Sequence, residues 1–99
     1  SVVRNALINP RLTEELVVRI AARQPARPEP LLEIWKSRWS SRAAVRRALV
    51  FNPYLPPEIG AKIVPLLSGP ELSELASFGS AHPALREQAR LLLRERRGP

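Results

Sequence analysis

The chain has 99 residues, 44% hydrophobic and 25% charged, which suits one soluble globular domain. Fourteen Arg and two Lys against nine Glu leave a net charge of +7, which favours an anionic partner such as an acidic protein, nucleic acid or a lipid surface. No Cys and no Asp occur, which excludes disulfides, thiolate metal sites and aspartate chemistry, and no apolar run approaches the ~20 residues of a membrane span.

In chain order the pattern is helix, stop, helix, stop. A first helix covers about residues 2–8, and Asn9-Pro10 ends it, because a residue before proline is pushed out of the α region. Thr13 is the predicted N-cap of a second helix, with Glu14 and Glu15 in its positive first turn. Leu16, Val17, Ile20 and Ala21 form its apolar stripe. Residues 25–30, rich in proline, read as a rigid linker. A third helix is predicted over about residues 30–38, and Trp35 completes a core stripe with Leu31, Leu32 and Ile34. Ser40 or Ser41 then caps a fourth helix that Asn52-Pro53 ends.

Pro57 opens a fifth helix from its first position. Pro65 should kink or tighten its last turn. Ser68-Gly69-Pro70-Glu71 caps a sixth helix, and a seventh runs over about residues 82–96. No alternation of the strand type is visible, so the fold class is all-α.

The phrase Val3-Arg4-Asn5-Ala6-Leu7-Ile8-Asn9-Pro10-Arg11-Leu12 returns at residues 45–55 with one residue inserted. A shift of forty residues extends the match: Pro30, Leu32, Ser37 and Ser40 fall on Pro70, Leu72, Ser77 and Ser80. The same shift places Ala44-Val45-Arg46 on Ala84-Leu85-Arg86. A period near forty predicts a helical repeat array. The expected architecture is a right-handed α-α superhelix of about seven helices, a single domain over residues 1–99. Two three-helix repeats over about residues 2–39 and 41–79 are followed by a partial repeat or capping helix over about residues 81–97. The paired Asn-Pro corners read as structural, their side chains satisfying backbone groups at a tight bend.

Val3, Arg4, Asn9, Pro10 and Thr13, and again Val45, Arg46, Asn52, Pro53 and Pro56, resemble the leucine-rich-repeat-variant signature of bacterial proteins. The Val-Arg helix start is similar to HEAT and armadillo repeats. The resemblance covers about a quarter of the chain. It implies a solenoid, not an activity. The variant family repeats at a shorter spacing, and the cluster-binding cysteines of some members have no counterpart here. DNA glycosylases of HEAT-like build resemble the chain in architecture and basicity, but an Asp typically carries their chemistry.

His82, the sole imidazole, lies at a helix start and reads as a cap. The four Gly residues are isolated, so no phosphate-cradling loop exists. No catalytic residue, metal ligand or cofactor site is therefore predicted, and the chain reads as a non-catalytic protein-interaction or scaffold module of a larger bacterial protein in the cytoplasm.

Two candidate surfaces stand out. Arg86, Arg90, Arg94 and Arg97 recur at spacings of 4, 4 and 3 and share one face of the last helix. Trp39, flanked by Arg38, Arg42 and Arg46, is expected to be exposed in a groove that clamps an acidic or extended peptide, since aromatics and Arg dominate binding hot spots. Nucleic-acid binding through the Arg-rich faces is the alternative reading. It is weakened by uneven charge: residues 1–28, 29–56 and 81–99 each carry +3, and residues 57–80 carry −2. End-to-end self-association is also expected if both ends of the array expose apolar faces.

Overall fold

The computed structural model describes residues 2–97. Among them are seven α-helices and no strand: α1 (Val2–Leu7), α2 (Glu14–Ala21), α3 (Pro28–Lys36), α4 (Ala43–Val50), α5 (Pro57–Ile63), α6 (Gly69–Ala76) and α7 (Pro83–Arg97). They form an elongated body of 47 × 23 × 18 Å. The local signals act as the sequence predicts. The Thr13 hydroxyl accepts from the Leu16 amide at the start of α2. Ser68 and Glu71 close a reciprocal capping box on α6. Pro65 tightens the end of α5 into a 3-10 turn over Val64–Leu66. His82 Nδ1 accepts from the Ala84 amide at the start of α7.

The segment around the two tryptophans departs from the expectation. Helix α3 starts at Pro28 and stops at Lys36, two residues earlier at each end than predicted. Ser37 ends it. The Ser37 hydroxyl donates to the Ile34 carbonyl at 2.7 Å and accepts from the Trp39 amide at 3.2 Å, so it competes with the helix for backbone partners. The chain then turns through a 3-10 segment, Arg38–Ser41. That turn carries Trp39 inward to 9% exposure, where its Nε1 donates to the Leu7 carbonyl at 3.3 Å. Trp39 is thus a core residue, and Trp35 is only half-buried. The burial register explains the exchange. Leu31 and Ile34 of α3 are buried, as are Leu72 and Leu75 of α6, which sets an offset of 41 between these helices instead of forty. Trp35 then falls on the half-buried Ala76, not on Leu75. Nor do Ser40 and Ser41 cap α4: their hydroxyls donate back to the Ser37 and Arg38 carbonyls, and Arg42 is the N-cap without a side-chain bond.

One cluster of buried side chains runs the length of the body, including Val17, Ile34, Leu49, Ile63, Leu72 and Leu75. Each such Leu or Ile stabilises the fold by about 1.5–3 kcal/mol relative to exposure. In α2 the buried residues are Val17 and Ala21, while Leu16, predicted inward, is exposed and Val18 packs in its place. Phe51 and Phe78 meet edge to face across α4 and α6 at 5.3 Å between centroids.

Side chains from α7 and the turn after α4 also tie down the ends of α5 and α2. Asn52 is 3% exposed. Its Nδ2 donates to the carbonyls of Ala21 and Arg23, at and just past the end of α2, and its Oδ1 accepts from the Tyr54 amide. One side chain therefore closes its own turn and satisfies two carbonyls that α2 leaves unpaired. Farther along, the Arg96 guanidinium donates to the carbonyls of Pro65 and Leu67, at the end of α5, and Gln88 donates to the Ala61 carbonyl.

Helices α5 and α7 approach closely at Gly60. A Cβ placed there would stand 2.6 Å from Leu85 Cδ1, and Leu85 is itself buried. Gly60→Ala should therefore lower stability by about 1–3 kcal/mol through overpacking. Adding Leu85→Ala should cost less in that background than in the parent chain, because the clash is relieved. Urea unfolding of the double-mutant cycle checks both statements.

Candidate partner-binding surfaces

The eight sequence-predicted residues fall into three groups. The first is structural. Trp39 packs in the core at 9% exposure, contrary to the expectation that it is exposed, and only an edge of it reaches a surface recess. Arg46 donates from Nη1 to the carbonyls of Ser40 and Ser41, so it braces the 3-10 turn. Half-buried Arg86 has its Nε enclosed without a hydrogen-bond partner among the described residues. Arg90 holds Glu87 and the Ala76 carbonyl.

The second group, Arg94 and Arg97, stays exposed at the end of α7. The unbroken helix keeps all four arginines at their predicted spacing, yet only these two are solvated without such ties among the described residues. The third group is Arg38 and Arg42. Arg38 is exposed, its guanidinium 5.2 Å from the Trp39 ring centroid. Arg42 lies 3.6 Å from Glu14 in an exposed pair of small energetic value. Together with Trp39 and Ser41 they line a shallow recess of about 330 Å³.

A larger groove was not foreseen. It has a volume of about 620 Å³ and lies between α1 and α3. Leu7, Ile8 and Pro10 line it on the α1 side, and Lys36 and Arg38 line it where α3 runs into the 3-10 turn. Ile8 is 77% exposed, more than any other large hydrophobic residue described. The sequence held one signal: an isoleucine just before a helix-ending Asn-Pro lies outside the helix stripe.

A second groove, of about 540 Å³, lies between α4 and α6 and includes Arg47, Phe51, Glu74 and Phe78. Arg47 pairs with Glu74 across it and stacks on the Phe51 ring at 4.7 Å. Val18, Ala22 and Gln24, from α2 and the residues after it, supply its remaining wall.

Among the described residues no helix is long and apolar enough to cross a membrane, and no three His, Cys, Asp or Glu side chains converge as a metal site would need. Comparison with known protein families, curated proteins and solved structures gives no match.

Proposed function

We propose that the chain is a non-catalytic protein-interaction module, an armadillo- or HEAT-like piece of a helical scaffold, that binds an acidic, partly apolar segment of a protein partner. The observation that carries the reading is the groove between α1 and α3. It joins an apolar side with an exposed isoleucine to a rim bearing Lys36 and Arg38. Such a groove offers apolar area for affinity and positive charge for orientation and encounter rate. Arg42, in the adjoining recess, extends the basic rim. The repeat part of the reading is supported by the corners at Asn9 and Asn52, which turn alike: each Oδ1 accepts from the amide two residues on at 2.9 Å.

The test is a titration of the chain with a Leu- and Glu-rich peptide, and in parallel with single-stranded and duplex oligonucleotides, at low and high salt. The peptide should bind, and Lys36→Glu with Arg38→Glu should weaken it about tenfold, equivalent to ~1.4 kcal/mol. Oligonucleotide binding with a steep salt dependence and no peptide binding would instead support a nucleic-acid module, because phosphate contacts release counterions. Binding to neither would remove the interaction reading.

A further inference from the structure

The two Asn-Pro corners turn alike but are not equally employed. At Asn52 the side-chain amide is buried and holds the Ala21 and Arg23 carbonyls. At Asn9 the Oδ1 accepts from the Arg11 amide, but the residue is exposed and its Nδ2 has no acceptor among the described residues. The surroundings correspond as well. Arg4 and Glu33 line the first groove at the places that Arg47 and Glu74 hold in the second, at offsets of 43 and 41. Ile8 stands where Phe51 stands. What the first groove lacks is the wall that Val18, Ala22 and Gln24 give the second, and those residues come from the helix whose end Asn52 holds.

We propose that the exposed face of α1 is a stacking site for a further helical unit of the same build, whose second helix ends on two free carbonyls two residues apart. That spacing is the one both internal junctions use: Ala21 and Arg23 for Asn52, Pro65 and Leu67 for Arg96. The incoming helix would cover Ile8, accept from Asn9 and wall the first groove. A second copy of this chain does not supply such an end, because its own pairs of carbonyls are already taken by Asn52 and Arg96. The stacked unit and the acidic segment would share Ile8, while the Lys36 and Arg38 side of the groove stays open to the segment. The stacking test contains no peptide, so its outcome is read separately from the peptide titration.

The experiment extends the chain with a second copy of residues 43–84 set directly ahead of Val2, which presents a free α5 end to Asn9. Side-chain amide exchange is then followed by nuclear magnetic resonance. In the 99-residue chain the Asn9 amide protons should exchange fast and those of Asn52 slowly. In the extended chain the Asn9 protons should slow by about tenfold or more, the factor of one net hydrogen bond. Asn9→Ala should also lower the unfolding midpoint of the extended chain by more degrees than it lowers that of the parent. Unchanged Asn9 exchange beside slow Asn52 exchange would overturn the proposal. So would an extended chain that precipitates or loses slow Asn52 exchange, because a unit that fits the face should fold onto it.

Discussion

Trp39→Ala should lower the unfolding free energy by about 3–5 kcal/mol, the cost of removing a buried indole and leaving a cavity. The protein has little to spare, since a domain of this size holds about 5–15 kcal/mol in total. Two terms add. The ring fills the space between the 3-10 turn and the buried cluster, and its Nε1 satisfies the last carbonyl of α1, at Leu7. Trp39→Phe separates them. It keeps most of the ring but strips the donor, leaving a helix-end carbonyl without its partner at a cost of about 1–3 kcal/mol. Trp35→Ala should cost less than Trp39→Ala, because Trp35 is half-buried and makes no comparable bond. Urea denaturation of the three variants is the measurement, with midpoints and slopes both recorded. A larger loss at Trp35 than at Trp39 would contradict the placement of the two rings.

The second large effect is at Asn52. Asn52→Ala removes three hydrogen bonds and leaves the Ala21 carbonyl in a buried site without its donor. Leaving a buried acceptor unpaired costs about 1–3 kcal/mol, and loss of the turn adds to it. A total of about 2–4 kcal/mol is expected, within the range of diagnostic mutations. Asn9→Ala, which loses only the exposed bond to the Arg11 amide, should cost less than about 1 kcal/mol.

Asn52→Asp sharpens the test. The carboxylate would face two carbonyl oxygens in a buried site, so its folded-state pKa is raised above the unfolded value. The variant should therefore be least stable above the folded-state pKa and recover as the pH falls below the unfolded value, where the protonated group can donate once. Thermal unfolding of both variants, with Asn52→Asp followed against pH, checks these statements. Equal losses at Asn9 and Asn52 would mean that the junction to α2 is not what Asn52 stabilises.

Much of the fold was legible because its signals are local. Thr13, the Ser68–Glu71 box, Pro65 and the Oδ1 turns of the two Asn-Pro corners act within four residues of themselves. The bonds of Asn52 Nδ2 to Ala21 and Arg23, by contrast, span 31 and 29 residues and carry no local signal. The arrangement at Trp39 was not legible, because it depends on a bond to Leu7 across 32 residues and on a serine that ends α3 early. Charge patterning was misleading for a different reason. Counting arginines treats each as a solvated cation, whereas Arg46, Arg90 and Arg96 spend donors on backbone carbonyls. The guanidinium has five donors on a long stem, so it can brace a turn or a helix end as readily as it meets an anion. Of the sequence-predicted arginines, Arg38 and Arg42 beside the 3-10 turn and Arg94 and Arg97 on α7 are the exposed ones that hold no backbone carbonyl among the described residues.

Docking of an acidic protein segment between α1 and α3, as proposed above, can be mapped residue by residue by nuclear magnetic resonance on the isotope-labelled protein. Titration with the Leu- and Glu-rich peptide should shift the resonances of Ile8, Lys36 and Arg38 together, saturably, and leave Arg94 and Arg97 unmoved. Shifts confined to α7, or none at any peptide concentration, would contradict it.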